Sequence, residues 1–200
     1  MNKARYHLNS VSEWVQANAL LKLSVNEART TEGDFQVELP VEYSRGGARR
    51  QGLPEVKIHL TFDEQILMEP AIRPVTPLYS DLSAFTVTTY AKEEILAEKM
   101  RALLQQQTKW PRPRDLYDLW FILCHENEKF DWEKLRGLFE GKCWARKIDP
   151  DPTLLISDVL KSINEHVWNS QLGAVMATVP PIALVWQDWH AFCKARLWAK

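Results

Sequence analysis

The chain has 200 residues, 46% of them hydrophobic, and its formal net charge is −1 at pH 7. This length and apolar content are enough to bury a sizeable core in one domain, or in a domain with a helical appendage. The near-zero net charge excludes a whole-chain attraction to nucleic acid or to a membrane surface, so any such attraction must come from local patches.

The three cysteines, Cys124, Cys143 and Cys193, stand far apart without C-x-x-C spacing. This spacing argues against a disulfide framework and against a zinc site, and it is typical of a reducing cytosol. The N-terminus lacks the apolar core of a signal peptide, and no apolar run is long enough to span a bilayer. We expect a cytoplasmic protein with no membrane partner and no metal bound by its cysteines.

The first half of the chain is predicted to be rich in strands. A short helix is expected over Val11–Leu23, and strands over Phe35–Tyr43 and Val56–Phe62, which would pair as an antiparallel hairpin. Pro40 should place the first of these strands at an edge or a bulge. Three prolines between Asp63 and Asp81 favour an extended excursion without regular structure. The alternating segment Ala84–Tyr90 then predicts another strand.

Two helices joined by a short connector are predicted between Tyr90 and Glu126. In the first helix, Lys99 lies within an apolar stripe, so its stem should be covered while its ammonium needs a partner or a cleft. The stripe consists of Ile95, Leu96, Met100, Leu103 and Leu104. In the second helix, which Pro113 can begin, Asp115 and Asp118 are three residues apart and therefore neighbours on the surface. Helix geometry predicts that Lys99 and Asp115 approach each other across one cleft, with Asp118 near by.

A local positive field is expected along this stretch. From Lys99 to Arg114 the chain has five cationic side chains and no acidic one: Lys99, Arg101, Lys109, Arg112 and Arg114. Such a field would face whatever docks here, and nucleic acid is one candidate. Each site residue also has a plainer explanation. Asp115 could complement a helix N-terminus, Asp118 could be solvated, and Lys99 could reach water past its neighbours.

The rest of the chain is predicted to be helical, over Phe130–Phe139, Thr153–Trp168 and Ile182–Trp198. Its tryptophans are expected to lie in the core or at an interface rather than to stack on bases. The overall prediction is an α+β fold, with a partial antiparallel or mixed sheet in the first half and a helical C-terminal half. The expected division is a strand-rich portion, 1–90, and a helical portion, 91–200.

The run EEILAEKMRALL followed by RPRDLYDLWFIL resembles the C-terminal motifs of the AbiEii/AbiGii family of toxin-type nucleotidyltransferases. In that family a lysine helix precedes an R-D-x-x-D-L helix. The upstream VKIHLTF, the Pro-rich stretch and FTVTTY also follow the family's usual order. The resemblance covers roughly Pro54 to Glu126, and it implies a nucleotidyltransferase-like fold and a toxin of a toxin–antitoxin or phage-defence (abortive infection) system.

The resemblance assigns roles to individual residues. Lys99 and Asp115 would be catalytic. Lys99, Arg101 and Arg114 would bind the phosphates of a nucleoside triphosphate, and Asp118 and His59 would support the site. The resemblance also implies Mg²⁺, an antitoxin protein and an RNA acceptor as partners, although a protein hydroxyl is an alternative acceptor.

Two family features are missing from the sequence. No glycine-serine or G-G-x-x-L element followed by D-x-D precedes the lysine helix, since the one D-x-D, Asp149–Asp151, comes after it. His59 stands where relatives commonly have an aspartate, and histidine binds magnesium poorly compared with a carboxylate. We therefore expect a truncated protein that holds no metal alone, and no activity unless a separate chain or upstream sequence supplies the missing N-terminal half. The alternative is a non-catalytic remnant that binds a partner or nucleic acid.

Overall fold

The computed structural model describes residues 64–125 and 129–197, the backbones of four strands between residues 21 and 61, and four helical residues before them. Contacts between Cα atoms divide the chain into two compact units, Met1–Glu64 and Gln65–Lys200. The expected division at residues 90 and 91 marks the change from strands to helices. The contact boundary differs from it because one β-hairpin is grouped with the helices.

Unit 1 contains an antiparallel sheet of four strands: β1 (Leu21–Val25), β2 (Arg29–Thr31), β3 (Gln36–Arg45) and β4 (Glu55–Thr61). All three partners pair with β3. β4 pairs along one edge of it, and β1 and β2 pair with successive parts of the other edge. The predicted hairpin of Phe35–Tyr43 with Val56–Phe62 is confirmed as the β3–β4 pair.

The sequence predicted that Pro40 would place its strand at an edge or a bulge. Instead Pro40 lies inside the shared strand β3, opposite Lys57 of β4. The pairing of β2 with β3 ends at Glu38, and that of β1 begins at Val41, so neither strand pairs with Pro40. A proline has no N–H to donate to a neighbouring strand. At this position the missing donor interrupts no pair with β1 or β2.

The helix predicted over Val11–Leu23 lies mostly outside the described residues, although Glu13 and Ala17 are helical. Its last residues were wrongly assigned, because Leu21–Val25 forms strand β1. The segment LKLSV alternates apolar and polar residues, which suits a strand that can pair with β3.

Unit 2 begins with an antiparallel hairpin of β5 (Ala71–Val75) and β6 (Phe85–Thr89). The strand predicted at Ala84–Tyr90 is confirmed as β6. We expected the Pro-rich stretch from Asp63 to Asp81 to lack regular structure. Instead it contains the strand β5. Pro74 is tolerated there because a two-stranded sheet consists only of edge strands.

Helices form the rest of unit 2. They are α1 (Lys92–Gln106), α2 (Pro113–Trp120), α3 (Trp132–Ala145), α4 (Asp158–Glu165), α5 (Trp168–Gly173) and α6 (Ile182–Phe192). A π-helical turn extends α2 over Phe121–His125, another extends α6 over Cys193–Leu197, and a 3₁₀-helix covers Pro152–Ile156. None of the described helices is long and apolar enough to cross a membrane.

The single helix predicted over Thr153–Trp168 is divided into three pieces. The hydroxyl of Ser157 accepts the N–H of Leu160, which begins α4, and Trp168 begins α5. A serine at this position ends one helix and caps the next because its side chain replaces a missing backbone partner. The predicted α+β class, with strands before helices, is confirmed.

The core of unit 2 is built where the helices meet. Its fully buried members include Leu96, Met100, Leu103, Leu116, Leu119, Leu135, Phe139, Trp168 and Trp189. The core assignment of the late tryptophans is confirmed for Trp168, Trp186 and Trp189. Trp144 is exposed, and Trp198 lies outside the described residues. The packing of α1 against α2 and α3 fixes the side chains described next.

Candidate functional site

Helix α1 carries Lys99 at the margin of its buried face. Leu96, Met100 and Leu103 on that face are fully buried, whereas Ile95, which the sequence placed in the same stripe, is 36% exposed. The side chain of Lys99 is 22% exposed, so its stem is covered while its ammonium stays near the surface. The helix thus presents one cation at the edge of the core.

The Lys99 ammonium donates to two carboxylates of α2. Its Nζ lies 2.9 Å from Oδ1 of Asp115 and 2.7 Å from Oδ2 of Asp118. Leu116 and Leu119 are fully buried, and Asp115 and Asp118 each directly precede one of them in α2, so both aspartates lie at the edge of the buried face, within reach of α1. The prediction that Lys99 and Asp115 approach each other with Asp118 near by is confirmed. Their catalytic roles stay predictions.

Two opposing effects determine the pKa of Lys99. Burial lowers it by penalising the charged form, but hydrogen bonds to Asp118 and Asp115 and attraction to both carboxylates raise it by more. The net result is a pKa above the ordinary lysine value of 10.5. Lys99 is therefore a permanent cation at physiological pH.

Arg112 is a site residue that the sequence reasoning counted only as part of the positive field. Its Nε donates to Oδ2 of Asp115, so the Asp115 carboxylate lies between two cations. Arg112 precedes the first residue of α2, and Asp115 lies in the first turn. An arginine three residues before a helical aspartate is the signal that could have identified this pair.

Asn164 of α4 was also missed, and it anchors the segment before α2. Its Oδ1 accepts the backbone N–H of Arg112 at 2.8 Å, and its Nδ2 donates to the carbonyl of Leu160 at 2.8 Å. The side chain is fully buried. Because both of its polar ends are used, Asn164 fixes the start of α2 and with it the position of Asp115. No local pattern in the sequence marks this contact, which spans 52 positions.

The structure separates the remaining predicted phosphate ligands. Arg101 is only 7% exposed and donates to Glu98 and Gln105 on its own helix. This geometry does not favour a phosphate-binding role for Arg101. Arg114 is exposed, and no described residue forms an ion pair with it or with Lys109. The expected field is therefore weaker than the count of cations indicated, because Glu98, Asp115 and Asp118 neutralise three of them.

The proposed supporting residue His59 belongs to unit 1. It lies in β4, where its backbone is opposite Glu38 of β3. Its supporting role stays a prediction. Glu38, the residue opposite it, is a carboxylate-bearing residue in the same pair of strands.

The described residues of unit 2 do not fit a magnesium site. Mg²⁺ requires carboxylate oxygens, but Asp115 and Asp118 already face Lys99, and Asp115 also faces Arg112. The D-x-D of Asp149–Asp151 is not available either, because Asp151 accepts the N–H and hydroxyl of Thr153 as a helix cap. Among the described residues no group of three or more histidine, cysteine or acidic side chains could hold a metal ion.

A structural comparison supports the fold. MenT4, a nucleotidyltransferase toxin from Mycobacterium tuberculosis H37Rv, matches 96% of this chain with a TM-score of 0.63 and 19% sequence identity. The chain spans 64% of that protein's length. JHP933 from Helicobacter pylori and a nucleotidyltransferase described as putative from the same organism match with TM-scores of 0.45 and 0.44, each at 16% identity over 86% of this chain. This chain spans 64% of the length of the first and 66% of the length of the second.

The sequence identifies the family. No curated protein sequence matches the chain. A family model does, and its description is the nucleotidyl transferase AbiEii toxin of a type IV toxin–antitoxin system. It matches residues 9–195, which cover most of both units and every residue of the site. The chain therefore belongs to the AbiEii family of nucleotidyl transferase toxins.

Proposed function

We propose that this protein acts as a toxin in nucleotidyl transfer, with Lys99 binding the triphosphate of a nucleoside triphosphate and Asp115 activating the acceptor. The observation that carries the proposal is the position of the Lys99 ammonium, which lies within 3 Å of both Asp115 and Asp118. Nucleotidyl transfer depends mainly on positioning and on neutralising charge, and a fixed cation beside a carboxylate supplies both.

Lys99 suits the phosphate role because it stays charged and partly accessible. Two carboxylates hold it now, and a triphosphate would compete with them for the same ammonium. Asp118 is the partner that can yield, since its side chain is 40% exposed, whereas that of Asp115 is 12% exposed and also faces Arg112. Arg112 would add a second cation on the phosphate side once its pairing with Asp115 loosens.

Asp115 suits the role of proton acceptor. In the proposed step an oxygen of the acceptor hydroxyl bonds to the α-phosphorus, and the bond between that phosphorus and the pyrophosphate oxygen breaks. The hydroxyl proton passes to Asp115. Pyrophosphate leaves with the bonding electrons, and Lys99 balances its negative charge. Each Asp115 oxygen faces one cation and retains a second acceptor position for the proton.

Transfer requires more carboxylates than the described residues of the site supply. The aspartates of the site are already paired with cations, and no D-x-D precedes the lysine helix in the sequence. We propose that a further chain, or sequence upstream of this one, contributes the D-x-D element. The remaining partners we propose are an RNA end as acceptor and an antitoxin protein, as the family's type IV toxin–antitoxin description implies.

The proposal is tested by nucleotide binding and transfer measured in the same mixtures. Purified protein is incubated with magnesium, each labelled nucleoside triphosphate and total RNA, and the bound and transferred label are measured separately. We expect binding that Lys99→Ala weakens at least tenfold and Lys129→Ala leaves intact, because Lys129 is an exposed lysine outside the site. Equal binding by wild type and Lys99→Ala would refute the function. Transfer without a second chain would refute only the requirement for D-x-D.

Binding without catalysis is the second candidate function. It is favoured by one observation, the exposure of Lys109, Trp110 and Arg114 in the connector between α1 and α2. In this case the protein would bind RNA or an antitoxin, and Asp115→Asn would change neither affinity.

A further inference from the structure

The connector between α1 and α2 has a composition that core packing does not explain. We call residues Lys109–Arg114, with the sequence KWPRPR, the basic connector. Trp110 is 65% exposed, although a large aromatic side chain gains more free energy when it is buried. Lys109, Arg112 and Arg114 are exposed beside it, and the connector contains no acidic residue. It therefore combines an accessible aromatic ring with three cations.

The backbone of the basic connector is held in place. The N–H groups of Lys109 and Trp110 both donate to the carbonyl of Gln106, at 2.9 Å and 3.1 Å. Two prolines restrict the chain further, and Asn164 accepts the N–H of Arg112 at 2.8 Å. The exposure of Trp110 thus belongs to an ordered turn, and an ordered backbone lowers the entropic cost of binding.

The basic connector is joined directly to the proposed site. Arg112 donates to Asp115, which accepts from Lys99. Trp110 is two residues from Arg112, so their Cα atoms lie within about 7 Å of each other. Trp110 and Asp115 are five positions apart, so their Cα atoms lie within about 18 Å of each other, a distance that a strand of a few nucleotides spans.

We propose that Trp110 is a stacking platform for a base of a single-stranded RNA end, with Lys109 and Arg114 binding the adjacent phosphates. This inference rests on the proposed function for the position of the acceptor, but not on the transfer step itself. An aromatic ring that carries a base, flanked by cations that follow the backbone, is the usual way in which proteins bind single strands. Lys109 and Arg114 are suited to phosphates because no described acidic group neutralises them.

The test is binding of a labelled single-stranded RNA of about ten nucleotides, a length within the usual range of such sites, followed by fluorescence anisotropy at low salt. We expect Trp110→Ala to weaken binding about tenfold and Trp110→Phe to retain most of the affinity, because phenylalanine can still stack. Trp144→Ala is the matched control. Trp144 is 63% exposed and has basic neighbours in Arg146 and Lys147, but it lies at the end of α3, away from the connector.

A second measurement separates stacking from charge. Lys109→Ala and Arg114→Ala should each reduce the slope of the logarithm of affinity against the logarithm of salt concentration by about 0.7, because a single strand that makes one phosphate contact fewer releases fewer counterions on binding. Trp110→Ala should lower the affinity at every salt concentration and leave that slope unchanged. Circular dichroism of each variant verifies that unit 2 is folded.

The inference is overturned if Trp110→Ala binds the RNA as tightly as wild type, or if Trp144→Ala loses as much affinity as Trp110→Ala. A reduced salt slope for Trp110→Ala would also contradict stacking. Because RNA binding is measured without nucleotide, Trp110-dependent binding by a protein that binds no nucleoside triphosphate would refute the proposed function and leave this inference standing. If nucleotide binding depends on Lys99 while RNA binding does not depend on Trp110, the proposed function stands and this inference is refuted.

Discussion

Glu94 of α1 and Lys142 of α3 form a buried ion pair, with 2.6 Å between Nζ of the lysine and Oε1 of the glutamate and side chains that are 3% and 2% exposed. Lys142 also donates to the carbonyl of Gln65 at 2.5 Å, and Glu94 accepts the N–H of Leu67 at 3.1 Å. The pair therefore joins two helices to the segment that precedes β5. It also fixes α1, the helix that carries Lys99.

Removal of one member of this pair should strongly destabilise unit 2. We expect Glu94→Ala to lower the free energy of unfolding by about 3 kcal/mol, because the buried Lys142 would lose its nearest carboxylate and keep that of Glu98, 3.8 Å away. Urea unfolding followed by tryptophan fluorescence measures this change, since eight of the nine tryptophans lie in residues 65–200. The neighbouring Glu93→Ala should change stability little, and an equal effect of both substitutions would contradict this assignment.

Asn164→Ala should weaken the anchor of α2. The substitution leaves the buried N–H of Arg112 and the carbonyl of Leu160 without their present partner, which costs about 1–3 kcal/mol. We expect a lower urea midpoint and weaker nucleotide binding, because Asp115 is no longer held in register with Lys99. Asn169→Ala, at an exposed position near by, is the control and should change neither quantity.

The cysteines should react slowly in the native protein. Burial, and to a smaller extent the charge of Asp188, raises the pKa of Cys124 to about 12, and burial raises that of Cys143 to about 12. Burial also raises the pKa of Cys193 well above 9.0. Because the thiolate is the reactive form, alkylation at pH 8 should be about a thousandfold slower than in urea. Rapid labelling of the folded protein would contradict these environments.

Gly137→Ala should stabilise α3. A methyl group added at Gly137 meets no atom within 4 Å, so the gain in helix propensity, about 1 kcal/mol, is not opposed by a clash. At Gly141 the same group would lie 2.9 Å from Cδ1 of Leu67, which must shift. We therefore expect Gly137→Ala to raise the urea midpoint by more than Gly141→Ala does. The reverse order would be inconsistent with this packing.

The sequence predicted the elements that follow from periodicity. The stripe containing Leu96, Met100 and Leu103 identified α1, and alternation identified β4 and β6, because regular patterns of apolar residues report which face is buried. Pro113 correctly marked the start of α2. The juxtaposition of Lys99 and Asp115 was predicted because two adjacent helices with a short connector pack side by side, which brings the margins of their buried faces together.

What the sequence could not predict depends on contacts between distant residues. Pairing with β6 made a strand of the Pro-rich β5, and pairing with β3 made a strand of Leu21–Val25. The acceptor in Asn164 lies 52 residues from Arg112, and the ion pair of Glu94 with Lys142 has no local signature. The ion pair of Arg101 with Glu98 was also overlooked, because a count of the cations in one stretch omits Glu98 just before it.

The central claim is that Lys99 binds triphosphate in competition with its two carboxylates. Isothermal titration with the nucleoside triphosphate that binds best tests it most directly, with wild type, Lys99→Ala and Asp118→Asn compared at one salt concentration. The account predicts at least tenfold weaker binding for Lys99→Ala, in line with the roughly 1.5–3 kcal/mol of a hydrogen bond to a charged group. It predicts tighter binding for Asp118→Asn, which removes one competing anion. Unchanged affinity in Lys99→Ala, or weaker binding in Asp118→Asn, would contradict it.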